Sequence, residues 1–386
     1  MFIGRYETVH DIGRGGMAKV VLARAPNGRH VVLKVTLTDD EDAAARLRDE
    51  ARTGMRLAHP NIVETLDLFE HEGRPVLVLS FVSGSSLYAL RERGPLPPGV
   101  VVRMGRQLCE ALDAIHNAAD ERGQPLKILH RDVTAANVML GDDGEARLID
   151  LGIARSVESL AARTQTGCMR GTLRYLAPEL FQGHKFSAAS DLWSLGIVLL
   201  EAAIGRAAFP GRTDAEIILS IVQGDPFTQC TQSPIDVRLR TVLAKLLAKD
   251  PAARAVSARD AARSFLDAEQ HFPLAPEEAR RFVQGALPVT QGNPEAHRLS
   301  TESLIDQAFR TFGAREVSVE SDAYELIDEV PPTLTQTSSV TFLGSGPGVP
   351  PDAAKAAILA YAQRLRAFEF ERPPPLRPDE SGELLI

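Results

Sequence analysis

The chain has 386 residues, 44% hydrophobic and 24% charged, with a formal net charge of −8. That length holds two or three domains and a sizeable core, while the acidic balance gives no support to general nucleic-acid binding. Three widely spaced cysteines, Cys109, Cys168 and Cys230, form no CxxC pair; this argues against a zinc site or disulfide framework and for a reducing, cytoplasmic setting.

The N-terminus, MFIGRYETVHDIG, lacks a basic stretch followed by an apolar one and does not read as a signal peptide. Residues 20–23, 30–35 and 76–82 are short apolar or β-branched runs bounded by Gly, Pro and Asn, which predicts strands. Residues 42–57 hold good helix formers of both charge signs and predict a helix. From about residue 86 the pattern turns helical, with Val101, Met104, Leu108, Leu112 and Ile115 near a 3.6-residue period. A strand-rich part followed by a helix-rich part predicts an α+β, two-lobed fold, divided near residues 82 and 83. The most apolar long segment, residues 192–204, falls short of the ~20 residues a membrane helix needs, so no membrane partner is expected.

Composition changes near Phe272 and Pro273. Residues 273–386 carry 10 Lys and Arg against 17 Asp and Glu, a net of −7. The expected division is therefore a folded domain over 1–272 and an acidic, largely flexible tail over 273–386. Within the tail, residues 352–368 put Ala354, Ile358, Tyr361, Leu365 and Phe368 on one helical face. Such a helix fits either a regulatory partner's groove or the folded domain itself.

Five signals carry chemistry. Residues 13–20, Gly-Arg-Gly-Gly-Met-Ala-Lys-Val, form a Gly-rich turn between two strand-like runs. Its glycines let backbone N–H groups approach phosphate oxygens, although a plain hairpin turn reads the same way. Lys34 sits inside an apolar strand, where its charge must be matched by phosphates or a carboxylate; Glu50 on the predicted helix is the candidate, and an edge-strand Lys reaching solvent is the bland reading. His130-Arg131-Asp132 with Asn137, and Asp150 in Leu148-Ile149-Asp150-Leu151-Gly152, put oxygen-bearing side chains in short turns between apolar runs. Such oxygens suit Mg²⁺, and a free Asp can accept a proton from an attacking hydroxyl; singly, each is also an ordinary turn former. Ala177-Pro178-Glu179 closes the series.

Taken in order, these motifs resemble bacterial eukaryotic-like (Hanks-type) Ser/Thr protein kinases over residues 6 to 265, roughly two-thirds of the chain. His59-Pro60-Asn61, Ser190-Asp191-Leu192-Trp193 and Asp250-Pro251 with Arg254 strengthen the resemblance. It implies a two-lobed kinase fold, ATP and Mg²⁺ as cofactors, and protein substrates with Ser or Thr acceptors. By that resemblance Ile12, Gly13, Arg14, Gly15, Gly16, Met17, Ala18, Val20, Val32 and Lys34 surround ATP. Ser80, Phe81 and Val82 form the hinge that meets the adenine, with Leu79 just before it. Lys34 pairs with Glu50, Asp132 orients the acceptor hydroxyl, and Asn137 and Asp150 hold Mg²⁺. Glu179 and Arg254 form a buried ion pair, and Asp191 anchors the catalytic loop. Residues 150–179 are the activation segment, with Thr164 or Thr166 the favoured regulatory phosphorylation sites near Arg131. Thr172 is the acceptor-facing Thr and a third regulatory candidate.

Five positions depart from the family pattern. Ala18 replaces a loop glycine, Val32 an alanine above the base, and Leu151 a phenylalanine. Gly54 stands where a large apolar residue is usual; a mid-helix Gly costs ~1 kcal/mol against Ala and leaves a packing gap. Thr134 replaces a lysine that contacts the γ-phosphate and brings no charge. Thr134, Val32 and Gly54 favour the alternative reading, a pseudokinase scaffold that binds nucleotide and transfers little phosphate.

Overall fold

The N-terminal strands pair in sequence order until one helix interrupts them. In the computed structural model, which describes residues 1–14, 18–37, 40–151, 170–231 and 234–286, six antiparallel strands form the first sheet. They are β1 (Phe2–Ile3), β2 (Tyr6–Arg14), β3 (Ala18–Arg24), β4 (His30–Thr36), β5 (Thr65–His71) and β6 (Arg74–Ser80), in the order β1-β2-β3-β4-β6-β5. Alternation along the strands splits their side chains between two faces. Val21, Ala23, Val31, Leu33, Val76 and Val78 gather with Tyr6 on one face. On the other, Leu77 meets Leu47 and Ala51 of helix α1 (Glu41–Gly54). Asp40 caps this helix by accepting from Asp42 N, and Glu41 and Asp42 lie at the positive end of its dipole.

Past residue 83 the chain enters a helical lobe. A second sheet joins β7 (Gly84–Ser86), β8 (Val138–Gly141) and β9 (Ala146–Leu148). Around it pack α2 (Leu87–Arg91), α3 (Pro98–His116), α4 (Arg170–Leu173), α5 (Ala188–Ile204), α6 (Asp214–Gln223), α7 (Val237–Ala244) and α8 (Ala258–Glu269). Helix α5 is apolar on every side and accordingly buried along nearly its whole length. Its start carries a capping box, with Ser187 and Ser190 bonding each other's backbone N–H. Trp193 of α5, Phe265 of α8 and Leu108 and Leu112 of α3 are fully buried in one core.

The packed chain continues beyond the expected boundary at Phe272 and Pro273. Phe272 and Leu274 lie against the lobe core, and a further helix, α9 (Pro276–Ala286), buries Ala279 and Val283. Its apolar stripe, Ala279, Phe282 and Val283 at i, i+3 and i+4, is narrow and flanked by charge, so composition hides it. Residues 287–386, including the expected helix at 352–368, lie outside the described residues. No helix among the described residues is long and apolar enough to cross a membrane.

Candidate active site

Asp191, in the first turn of α5 and 2% exposed, organises the loop that carries Asp132. Its carboxylate accepts from His130 N at 2.9 Å and Arg131 N at 2.8 Å, and His116 Nε2 lies 2.9 Å away. Arg131 sits at φ +63°. A left-handed non-glycine residue costs on the order of 1–3 kcal/mol and persists where its surroundings over-determine it; the Asp191 bonds do so here. Asp132 follows, and Asn137 Nδ2 donates to its carbonyl at 2.9 Å and to its Oδ2 at 2.8 Å. That amide orientation leaves Asn137 Oδ1 as an acceptor.

Thr134 has a structural task. Its side chain caps the 3₁₀ turn Ala135–Asn137, its Oγ1 accepting from Asn137 N at 3.3 Å. The residue that brings no charge thus fixes the one that presents an oxygen.

Asp150 reaches the site from the end of β9. Asn61 O accepts from Leu148 N at 2.9 Å, Val63 N donates to Leu148 O at 2.9 Å, and Ile149 N donates to Asn137 O at 2.9 Å. Asp150 itself is at φ +59°, a second left-handed residue in the site. Lys34 Nζ donates to Asp150 Oδ1 at 2.6 Å and to both Glu50 oxygens at 2.9 and 3.0 Å. Burial works to lower the Lys34 ammonium, but Asp150 and then Glu50 outweigh it and hold it above its ordinary value. Burial pushes Glu50 up to about 7 against the pull of Lys34, with Asp150 adding to the rise. Burial would likewise raise Asp150, but Lys34 overrides it and keeps the carboxyl low. Two carboxylates facing one ammonium leave an anionic corner. The Asp150 carboxylate and Asn137 Oδ1 are hard oxygen donors, and this donor set fits Mg²⁺.

The expected nucleotide residues share one sheet face. Val20 pairs with Lys34, Leu22 with Val32, and Val32 with Leu79, so Val20, Val32, Lys34 and Leu79 point the same way. Gly13 and Arg14 pair with Val20 and Lys19 at the hairpin end, where Ala18 begins β3; Ile12 precedes them on β2. Gly15, Gly16 and Met17 lie outside the described residues. Ser80 ends β6, its N–H donating to Glu64 O at 2.9 Å and its Oγ accepting from Glu64 N at 3.1 Å. Phe81 makes an edge contact with His30, and Val82 lies in the unpaired crossing between the lobes.

On the far side of the site, Thr172 lies in α4 and Tyr175 N donates to its carbonyl at 3.0 Å. Thr164, Thr166 and Cys168 lie outside the described residues. The Glu179–Arg254 pair is bidentate, both bonds 2.7 Å, and fully buried. Sequence reasoning missed a second buried network. Glu201 Oε2 takes Tyr175 OH at 2.8 Å and the Arg91 guanidinium, while Oε1 accepts from Ala208 N at 3.0 Å. Only the Glu201 interruption of an apolar helix signals it in the sequence.

Gly54 differs from expectation. It is the last residue of α1, not mid-helix, and no gap opens beside it. A Cβ there would stand 2.1 Å from Thr65 Oγ1; Thr65 of β5 fills the space a larger residue would take.

Lys34, Glu50 and Asp150 thus join the two lobes at one site. Residues 6–266 match the protein kinase domain family, and the chain belongs to it. Among its relatives, a tyrosine-protein kinase, MasK, of Myxococcus xanthus is 32% identical over 68% of this chain and 43% of its own. The serine/threonine-protein kinase PknB of Mycobacterium leprae is 35% identical, over 64% of this chain and 40% of its own. PknD of Mycobacterium tuberculosis, also named a serine/threonine-protein kinase, is 36% identical, over 69% and 41%. The chain thus spans about two-fifths of the length of these bacterial relatives. Members of the family use ATP and Mg²⁺.

Proposed function

We propose that this chain is an ATP- and Mg²⁺-dependent protein kinase that phosphorylates Ser and Thr hydroxyls of proteins in signal transduction. The observation that carries the reading is the bridge from Lys34 to both Glu50 and Asp150, beside Asp132 and Asn137. Lys34, oriented by Glu50, offsets charge on the ATP phosphates. Asp132 accepts the proton of the attacking hydroxyl and orients it, with Asn137 holding the carboxylate still. Asn137 Oδ1 and Asp150 would hold Mg²⁺, which when bound supplies further neutralisation of phosphate charge. Val20, Val32, Leu79, Ser80 and Val82 would line the adenine side, and residues 13–18 would cover the phosphates.

Thr134 brings no charge to the γ-phosphate, but it supports the Asn137 turn, and Lys34, Glu50, Asp132, Asn137 and Asp150 are all in place, which favours transfer over a scaffold role. Thr164 or Thr166 would be the autophosphorylated residue of the activation segment, docking on Arg131. Cys109 and Cys230 are free and buried, in keeping with a cytoplasmic setting. Transfer of labelled phosphate from ATP with Mg²⁺, to the chain itself and to a basic protein, tests the reading, with Asp132→Asn alongside. The expected result is phosphoserine and phosphothreonine from the wild type and none from the variant. Label confined to tyrosine would move the acceptor class to that named for MasK, and no label at all would overturn the kinase reading.

A further inference from the structure

The turn at residues 141–144, between β8 and β9, touches two parts of the chain that are far apart in sequence. On one side it meets the crossing between the lobes. Ser83 Oγ donates to Asp142 Oδ2 at 2.7 Å, and Asp142 N donates to Ser83 O at 2.9 Å. Gly84, the next residue, is at φ +155°, and a Cβ there would stand 2.3 Å from Leu140 O. The crossing is therefore pressed against β8 with no room for a side chain.

On its other side the turn meets α9. Gly144 is at φ +81°, and a Cβ there would stand 3.1 Å from Ala279 Cβ and from Arg280 N. Arg280 Nε donates to Asp143 O at 3.0 Å. The helix is fixed by buried Ala279 and Val283, and by Leu274 and the Phe272 carbonyl against Gly99, where a Cβ would stand 3.2 Å from each.

We propose that α9 braces the nucleotide hinge, and that Asp142 is the positioning residue that passes this brace to Ser83 and so to residues 80–82. Residues 81–83 have no strand partner, and a free segment must be ordered when a ligand binds, at a cost in affinity. The two bonds to Asp142 replace the missing ladder and order the hinge beforehand. The inference rests on the reading of residues 80–82 as the adenine contact.

The test measures equilibrium binding of a fluorescent ATP analogue with Mg²⁺ to the full chain, together with phosphate transfer at saturating ATP. Asp142→Ala and Val283→Asp are each expected to weaken binding about three- to tenfold while kcat stays within about twofold. Asp142→Asn, which keeps an acceptor oxygen for Ser83, should bind as the wild type does. Combining Asp142→Ala with Val283→Asp should weaken binding no further than the stronger single change, since both act through one turn. Should Val283→Asp fail to fold, Gly144→Ala pushes on the same contact more gently. Unchanged binding in Asp142→Ala, or Asp142→Asn as weak as Asp142→Ala, overturns the proposal. A wild type that binds the analogue but transfers no phosphate defeats the kinase reading alone, and the binding series still decides the brace.

Discussion

Lys249 shows how one side chain can sit between opposing demands. Its ammonium lies 5.5 Å from the Trp193 ring centre and 5.7 Å from that of Phe209, and it donates to Ile221 O. Burial pushes its pKa down to about 8; Asp225 pulls upward, and Arg254, itself over Trp193, adds a downward push. In the folded chain the proton leaves near pH 8, whereas the unfolded chain keeps it to the ordinary value of 10.5. Between those limits the folded state binds fewer protons, so this residue makes stability rise with pH. Melting temperatures at pH 7 to 10 should therefore climb relative to Lys249→Met, which has no proton to lose. Parallel curves for the two proteins would show that Lys249 titrates normally. None of this is visible in the sequence, where Lys249 precedes the Asp250-Pro251 motif as an ordinary charged residue. By contrast Lys34, Asp132, Asn137 and Asp150 were legible there, because each sits in a short motif whose spacing is set by local backbone geometry.

Elements were readable where one pattern dominated and unreadable where a contact from afar decided. The α1 helix follows from its composition, yet the meaning of Gly54 depends on Thr65 in a strand eleven residues later. Sequence logic alone favours Gly54→Ala, since Ala is better in a helix by up to ~1 kcal/mol. Packing argues the reverse. The added Cβ would stand 2.1 Å from Thr65 Oγ1, and overpacking costs typically about 1–3 kcal/mol. The second effect is larger, and helix propensity counts least at a helix end. Gly54→Ala is thus expected to lower stability in urea melts, and Thr65→Ala added to it to recover most of the loss. A more stable Gly54→Ala would mean that β5 yields freely at this point. The capping role of Thr134 was open to the same style of reading. A Thr three residues before Asn137 matches the side-chain cap of a short turn. Helix α9 was hidden for another reason: its narrow apolar stripe, Ala279, Phe282 and Val283, does not outweigh its charged residues and the acidic composition that follows.

Among the described residues, the two lobes meet through the crossing segment, through the backbone bonds of Asn61 and Val63 to Leu148, and through a charged bridge. Lys34 and Glu50 belong to the first sheet and its helix, and Asp150 to the second lobe. The 2.6 Å bond from Lys34 to Asp150 therefore sets the sheet lobe against the catalytic loop. That loop is in turn fixed to α5 through Asp191, and the first turn of α5 is tied to the Glu179–Arg254 pair through Ser190 and the Ala189 carbonyl. Replacing Lys34 by Met tests this chain of contacts at its first link. Glu50, mostly buried, and Asp150, partly exposed, would then face each other with no cation between them, and burial would favour protonation of Glu50. Phosphate transfer should fall on the order of 10²–10³-fold, the usual scale for losing one preorganised charge partner. The melting temperature should also fall at neutral pH and recover as the pH is lowered, because a proton taken up by the carboxylate pair replaces the missing ammonium. A variant that lost transfer while keeping the wild-type melting profile at every pH would separate the catalytic task of Lys34 from its part in joining the lobes.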